Sequence, residues 1–308
     1  METSYPDESG GRGIEAPPAF PLAWNDETLD GILGEMAATK PCGSTGIVPL
    51  DEMLGGGLWP DVHVLAAEPG AGKTTLALQV ADWTARHGSR KVVFASMEMS
   101  AAQVLAKSIS RLASEQGREP LTARRVMRMR PEDMDAIGRA VGAYRAEIAP
   151  NIATVDRKMT VGELAELMDA MPATEPKPVL VVDYLQIMPA PEGDQKTDYQ
   201  HHTSNMRGLC EIAKRNRTPV LVVSSKNRSG RDGRSLGSLS GSSDIEYGAS
   251  VVMFLEVDGD SPSEREQNAA LPKRPVTLHV RKNRFGAVGA VPLVFLAAEG
   301  RYIERVRG

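Results

Sequence analysis

The stretch AAEPGAGKTTL, residues 66–76, decides the fold of this chain. It follows the apolar run VHVLAA and opens a segment of helical character, which is the context that a phosphate-binding P-loop requires. The pattern GxxxxGK followed by Ser or Thr is met at Gly72, Lys73 and Thr74, although Ala67 stands at the first glycine position. The stretch predicts a strand, a phosphate loop and a helix; the alternative is a glycine turn that binds no nucleotide.

The residue types in this loop suit ATP bound together with Mg²⁺. Backbone N–H groups at a helix N-terminus can wrap a phosphate, and the helix dipole favours the anion. Lys73 is expected to contact the β- and γ-phosphates, and the Thr74 hydroxyl is expected to ligate Mg²⁺. The loop residues expected to bind the nucleotide are Glu68, Pro69, Gly70, Ala71, Gly72, Lys73, Thr74 and Thr75.

Two acidic residues follow apolar runs and can complete such a site. PVLVVDYLQ, residues 178–186, places Asp183 at the end of a strand, as a Walker B acid that holds the metal. KVVFASMEMS, residues 91–100, places Glu98 just past another strand, where a carboxylate can orient the attacking water. The alternatives stay open, since buried strands often end in Asp and Glu98 can instead cap a helix.

Short apolar, β-rich runs alternate with helical segments over most of the chain, which predicts an α/β fold with a mostly parallel twisted sheet and helices on both faces. The strand runs are VHVLAA, KVVFAS, NIATV, PVLVVD and TPVLVV, and the helical segments are 74–87, 101–114, 132–147, 161–171 and 199–216.

Three further features refine this prediction. The runs SVVMFLEV, PVTLHVRK, AVPLVFLA and GRYIERV have short links, which predicts antiparallel hairpin strands at one edge of the sheet. The polar segment 257–275 between them is expected to be a surface loop. Thr160 and Glu163 form a T-x-x-E capping box that fixes one helix start.

Composition limits the class of protein. The 308 residues are 41% hydrophobic and 25% charged, with a net charge of −4, so nucleic-acid binding would need a local basic patch. Two cysteines support neither a zinc site nor a disulfide scaffold. The chain shows no signal peptide and no apolar run of the ~20 residues that span a bilayer. We therefore expect a cytoplasmic protein.

The N-terminal part has a different character. Residues 1–22, rich in Gly, Pro and charge, are expected to be a disordered tail. Residues 23–42 are expected to form a linker helix, and 43–308 the main domain. An apolar stripe on that helix would pack either on its own domain or on a neighbouring subunit; it comprises Leu29, Ile32, Leu33 and Met36.

A basic segment surrounds the run SSKNRSGRDGRS, residues 224–235. Residues 206–234 include eight Lys and Arg residues and two acidic residues. Their local charge is +6, in a protein of net charge −4. Such a loop can hold the backbone of a nucleic acid, and a solvated surface loop is the alternative. The basic residues are Arg207, Lys214, Arg215, Arg217, Lys226, Arg228, Arg231 and Arg234.

Taken in chain order, TGIVPLDEMLGGGLWP, the P-loop, SMEMSAAQV, VVDYLQIM, SSKNR and RKNRFGAVG resemble the C-terminal ATPase domain of the DnaB-like replicative helicases. The resemblance runs from about Thr45 to Ile303. It implies a RecA-like P-loop fold and ATP hydrolysis between subunits of a ring, usually a hexamer. The family's N-terminal helical domain, which supports primase contacts, has no counterpart in the chain.

The resemblance also implies roles for residues. Lys73, Thr74 and Asp183 would hold Mg·ATP, and Ser225 stands where the family senses the γ-phosphate with Gln. Single-stranded DNA and replication proteins such as a loader or primase are the implied partners. The implied catalytic residues are Glu98 and Lys73, with Lys282 and Arg284 acting on the adjacent subunit, and the implied DNA-binding residues are Lys226, Arg228, Arg231 and Arg234.

We therefore expect an ATP-driven ring helicase that translocates on single-stranded DNA in replication. The alternative is a related DNA-associated ATPase that serves recombination or switches an assembly without unwinding. Ser225 and Ser240, which depart from the family pattern in the sensor and in the DNA loop, motivate that alternative. A P-loop kinase for a small molecule is the least favoured, since nothing marks a lid or an acceptor pocket.

Overall fold

A computed structural model describes residues 25–88, 90–116, 120–172, 176–190, 197–225 and 248–305. Contacts divide the chain into two units, residues 1–39 and 40–308. In the first unit, helix α1 (Asn25–Ala38) exposes its apolar stripe, and Leu29 and Met36 are 50% and 67% exposed. None of the helices within the described ranges is long and apolar enough to cross a bilayer.

The second unit is built on one nine-stranded sheet with the order β3-β2-β4-β5-β1-β6-β7-β8-β9. The six strands from β3 to β6 are parallel, and the last three run antiparallel, which confirms the predicted sheet with its hairpin strands. The strands are β1 (Val62–Ala67), β2 (Val92–Ser96), β3 (Ile152–Val155), β4 (Val179–Asp183), β5 (Val220–Ser225), β6 (Val251–Val257), β7 (Lys273–Asn283), β8 (Gly289–Leu296) and β9 (Arg301–Glu304).

Helices cover both faces of this sheet. Because side chains alternate along a strand, β1 directs Leu65 and Ala67 into one core and Val64 and Ala66 into the other. The helices are α2 (Val48–Met53), α3 (Lys73–His87), α4 (Ala101–Glu115), α5 (Ala123–Arg128), α6 (Met134–Glu147), α7 (Val161–Asp169), α8 (Asp198–Asn216) and α9 (Pro262–Ala270), with short 3-10 turns at Pro131–Asp133, Ala149–Asn151 and Leu185–Ile187.

Local signals at helix ends are present as expected at α7. The Thr160 hydroxyl accepts from the Glu163 backbone N–H at 3.2 Å, and the Glu163 carboxylate accepts from the Thr160 N–H at 2.8 Å. A hydrogen bond from Arg157 to the Glu163 carboxylate, followed by the bonds from the Thr160 N–H and hydroxyl, lowers the pKa of Glu163 to about 2. The capping box prediction is confirmed.

One prediction was wrong. The segment 257–275 is not simply a polar loop, because it contains α9, which begins at Pro262 after the cap Ser261. The Ser261 hydroxyl accepts from the Glu264 N–H at 3.1 Å, so the helix is started by local hydrogen bonding. Two short helices, α2 and α5, also escaped prediction.

Candidate nucleotide site

The P-loop joins the carboxyl end of β1 at Ala67 to the first residue of α3, Lys73. Gly70 and Gly72 hold φ values of 82° and 92°, a left-handed conformation that glycine adopts without steric cost. The Ala71 N–H donates to the Glu68 carbonyl at 3.2 Å and closes the turn. The backbone thus curls around the N-terminus of a 15-residue helix, as an anion site requires.

The last strand supports this loop from below. The Tyr302 hydroxyl donates to the Ala71 carbonyl at 2.9 Å, and the Tyr302 ring stacks on Phe295 at 4.5 Å. Gln79 of α3 bonds both backbone groups of Tyr302, at 2.7 and 2.9 Å. A Cβ on Gly72 would collide with the Tyr302 hydroxyl, so this glycine is needed for space as well as for conformation.

The predicted metal residues meet in the structure. The Thr74 hydroxyl donates to Asp183 Oδ1 at 3.1 Å, although β5 lies between β1 and β4. Burial raises the pKa of Asp183 to about 6, against the lowering effects of Thr74 and Lys73. Within the described ranges, Asp183 Oδ2 is buried and has no hydrogen-bond partner.

These two oxygen groups fit a hydrated Mg²⁺. Mg²⁺ prefers one or two protein oxygens together with water and substrate phosphates. The orphaned Asp183 Oδ2 and the adjacent Thr74 hydroxyl supply that kind of set, beside a loop suited to phosphate. A buried carboxylate without a partner is costly, and a cation would offset that cost.

Glu98 is held on a firm turn near Asp183. Ser96 pairs with Asp183 in register between β2 and β4, and the Met97 N–H donates to the Asp183 carbonyl at 2.8 Å. The Ser96 hydroxyl bridges to the Met99 carbonyl at 2.7 Å. Glu98 is exposed on this turn, and its charge contributes to the raised pKa of Asp183. Two strands separate β2 from β1, so Glu98 approaches from the Asp183 side.

Lys107 was not among the predicted residues. From α4 its Nζ donates to the Thr75 hydroxyl at 3.2 Å, and burial followed by the charge of Arg111 lowers its pKa, against the opposing effect of Asp183. Lys73 lies 5.4 Å from the centre of the Tyr184 ring. One feature of the sequence could have identified Lys107. It lies three residues after the buried Val104, so it shares the inward face of α4.

Ser225 ends β5 and pairs in register with Ala67. Its N–H donates to Gln186 Oε1 at 3.1 Å, and Gln186 Nε2 donates to the Ser224 hydroxyl at 2.8 Å. Gln186 thus ties the end of β5 to the segment after β4. It belongs to the DYLQ run, but its contact with β5 could not be read from the sequence.

A cavity of about 570 Å³ opens beside the P-loop. It lies between Glu68–Ala71, the end of β6, α9 and Arg274. Its charged lining residues are Glu68, Glu256, Arg265, Glu266 and Arg274. The unpredicted helix α9 is therefore one wall of the space next to the phosphate loop.

Lys282 and Arg284 lie at the opposite end of the parallel strands from the P-loop, near the start of β6. Lys282 pairs with Val252 at the start of β6, whereas Ala67 pairs with Leu255 near its end. The exposed Arg284 follows the same strand, and its N–H donates to the Ser250 carbonyl at 3.1 Å. At about 3.3 Å per residue, β6 alone separates them by roughly 10 Å or more. In this structure they therefore lie at the opposite end of the strands from the P-loop of their own chain.

The predicted DNA-binding residues Lys226, Arg228, Arg231 and Arg234 lie outside the described residues. Of the wider basic segment, the structure describes Arg207, Lys214, Arg215 and Arg217. Lys214 and Arg215 lie in the last turn of α8 and Arg217 follows it, before β5 begins. Arg215 also pairs with Asp169 at 2.6 Å.

Comparison with known proteins identifies the family that this chain matches. The family model described as "DnaB-like helicase C terminal domain" matches residues 43–304. The replicative DNA helicase DnaB of Geobacillus stearothermophilus is 28% identical over 273 residues, covering 85% of this chain and 56% of that protein. The replicative DNA helicase DnaC of Bacillus subtilis is 27% identical with the same coverage. The chain thus spans about half the length of the curated relatives it matches.

Solved structures share the fold. A structure described as an ATPase domain has a TM-score of 0.75 and 23% identity, covering 92% of this chain and all of that one. A DnaB-like replicative helicase, solved for its interactions with primase, has a TM-score of 0.70 and 22% identity, covering 92% of this chain and 67% of that one.

Proposed function

Because this chain belongs to the DnaB-like helicase C-terminal domain family, we propose that it hydrolyses ATP between adjacent copies of itself and uses the energy to move along single-stranded DNA. Strand separation during replication is the activity that this motor serves. Its relatives include replicative DNA helicases.

The observation that carries the proposal is the position of the two halves of the site. The P-loop, Thr74 and Asp183 lie at the carboxyl ends of the parallel strands. Lys282, near the end of β7, and Arg284, just after it, lie at the opposite end of those strands. Head-to-tail association brings Arg284 of one copy against the P-loop of the next copy. If the rotation between copies closes on itself, the assembly is a ring. A hexamer is the ring size we propose.

In each junction the chemistry divides among named residues. P-loop N–H groups and Lys73 bind the phosphates, and Glu98 orients water and accepts its proton as the water oxygen bonds to the γ-phosphorus and ADP leaves. Arg284 from the adjacent copy would stabilise the charge that develops on the transferred phosphoryl group. Mg²⁺, held by Thr74 and Asp183, supplies charge neutralisation for the phosphates when bound.

The remaining parts of the substrate have places in this arrangement. We propose that the cavity lined by α9 and Arg274 receives the nucleoside, since it adjoins Glu68–Ala71 directly. The residues Lys226, Arg228, Arg231 and Arg234 would contact the DNA backbone in the centre of the ring. Gln186 bonds the Ser224 hydroxyl and the Ser225 N–H, so it links the segment after β4 to the end of β5.

ATP hydrolysis and strand displacement test this proposal. We expect Mg²⁺-dependent hydrolysis that single-stranded DNA stimulates, and displacement of a paired strand. The variant Lys73→Ala abolishes both, and the combined change of Arg228, Arg231 and Arg234 to Ala abolishes DNA stimulation and displacement while retaining basal hydrolysis.

The outcomes separate the candidate functions. Hydrolysis without DNA stimulation at low salt would exclude the helicase, and a triple variant with full displacement would exclude the proposed DNA contacts. DNA-stimulated hydrolysis without displacement would instead identify an assembly switch. The conservative triple change to Lys controls for charge.

A further inference from the structure

The turn that carries Arg284 is fastened by an amide side chain that the proposed chemistry does not use. Asn283 Nδ2 donates to the Met53 carbonyl at 2.8 Å and to the Ala287 carbonyl at 2.9 Å. Its Oδ1 accepts from the Phe285 N–H at 3.0 Å. One side chain therefore closes the turn on itself and ties it to the end of α2.

Glycines allow the two segments to approach closely. A Cβ on Gly286 would collide with the Met53 carbonyl, and one on Gly55, whose φ is 73°, would lie 2.6 Å from the Phe285 carbonyl oxygen. The Ala287 N–H adds a second bond to the Met53 carbonyl at 3.0 Å. At these two glycines the atom that a Cβ would meet first is a backbone oxygen, which cannot move aside as a flexible side chain can.

An aromatic stack supports the same turn. Phe285 lies parallel to Trp59, with 5.1 Å between the ring centres and 9° between the planes. Trp59 Nε1 donates to the Leu54 carbonyl at 2.8 Å, so its ring is fixed by the loop after α2. His63 lies behind Phe285, 6.3 Å away. Both neighbours of Arg284 in sequence are therefore held.

Arg284 bonds Ser250 through both its backbone and its side chain. Its N–H donates to the Ser250 carbonyl at 3.1 Å, and its guanidinium reaches the Ser250 hydroxyl at 3.4 Å. That hydroxyl donates to Asp61 Oδ2 at 2.6 Å. The turn between Asn283 and Ala287 thus holds the backbone from which the Arg284 side chain projects, and Ser250 contacts its guanidinium.

We propose that Asn283 is a positioning residue, which aims the Arg284 guanidinium at the nucleotide of the adjacent copy. This inference rests on the proposed function. A small rotation of the turn is magnified along the arginine side chain, and a misplacement of about 1 Å can lower a rate about 100-fold. The segment from Met53 to Trp59 is the rigid support against which Asn283 fixes the turn.

The first test compares single variants. We expect Asn283→Ala to lower kcat for ATP about 10- to 100-fold, with KM for ATP and nucleotide affinity unchanged, because the P-loop is intact. The matched control is Asn151→Ala, just before β3. It removes a hydrogen bond of 2.9 Å from the Asn151 side-chain amide to the Ala85 carbonyl. It should leave kcat unchanged.

The second test mixes subunits before assembly. An Asn283→Ala copy keeps its P-loop, and a Lys73→Ala copy keeps its arginine turn, so about a quarter of the junctions in an equal random mixture combine the two intact halves. The mixture should hydrolyse ATP faster than either variant alone. Recovery also shows that Asn283→Ala subunits are folded. A parallel mixture uses Arg284→Ala in place of Asn283→Ala.

The two mixtures separate the possible failures. If Arg284→Ala recovers and Asn283→Ala does not, or if Asn283→Ala alone keeps the wild-type kcat, the inference about Asn283 is overturned and the proposed function stands. If Arg284→Ala fails to recover although wild-type protein hydrolyses ATP, the action across subunits is wrong and the inference falls with it.

Discussion

The hydroxyl of Tyr302 donates a hydrogen bond to the carbonyl of Ala71, 231 residues earlier in the chain. Tyr302 is 2% exposed, and burial raises the pKa of its phenol well above the usual range, so the group stays a donor. The antiparallel strands therefore support the proposed nucleotide site, since the last of them bonds the P-loop at Ala71.

Replacing Tyr302 by Phe should loosen that loop. The Ala71 carbonyl loses this donor inside the protein, which costs about 1–3 kcal/mol of unfolding free energy, and the affinity for ATP should fall with it. Urea unfolding and titration with a fluorescent ATP analogue measure the two effects. Tyr144→Phe, at a half-buried tyrosine of α6, is the control; equal affinities for all three proteins would contradict the prediction.

Gly72 and Gly70 should respond differently to alanine. Both have positive φ, but a Cβ on Gly70 meets open space, whereas a Cβ on Gly72 meets the Tyr302 hydroxyl. We expect Gly70→Ala to cost about 1 kcal/mol of backbone strain and Gly72→Ala to cost more and to lose ATP binding.

A double variant checks the physical cause. Removing the hydroxyl should relieve the collision, so Gly72→Ala with Tyr302→Phe should be more stable than the two single effects predict, by about 1 kcal/mol. Additive effects in urea unfolding would show that the collision is not the cause.

His63 should make stability depend on pH. Burial of the imidazole lowers the pKa of His63 from 6.5 to about 4, against the raising effects of the Asp61 carbonyl and the Asp61 charge. Below pH 6.5 the unfolded chain takes up a proton that the folded protein does not, until pH falls to about 4. The free energy of unfolding should therefore fall by about 3 kcal/mol over that window.

Urea unfolding of His63→Gln across the same range tests this assignment. Gln keeps a donor and an acceptor but does not titrate, so the variant should lose that part of the pH dependence. The exposed His87→Gln should keep it. A variant curve parallel to the wild type throughout would refute the role of His63.

Lys107 should contribute to phosphate binding. Removing its charge by Lys107→Met should weaken ATP binding about 10-fold, as expected for a charge-assisted hydrogen bond near the phosphates. Lys107→Arg should restore much of the affinity, and the exposed Lys214→Met should have no effect. Nucleotide titrations at constant salt decide between these outcomes; unchanged binding in Lys107→Met would contradict the prediction.

The sequence predicted the parts of the fold that depend on local patterns. The P-loop, the apolar strands and the cap at Thr160 are each encoded within a few residues, and all appear where expected. Helix α9 was missed because its sequence, PSEREQNAA, has no apolar stripe for a core, and its start depends on Ser261.

The missed contacts of the site are tertiary. Lys107 and Gln186 lie on elements whose positions depend on strand order, which no short run of residues reveals. Asn283 lies between Lys282 and Arg284 in the run RKNRFG. The sequence does not reveal that its side chain bonds Met53, 230 residues away.

The separation of the P-loop and Arg284 has a consequence for the proposed motor. A single molecule has both a P-loop and an Arg284, but it holds them at opposite ends of its strands. In the proposed motor it therefore needs a neighbour before both can act on one nucleotide. Turnover per molecule should then climb with protein concentration until assemblies saturate, and an open row of molecules would always leave one bound nucleotide idle at its end. Closing the circle removes that idle position, so dilution by itself would act as an off switch.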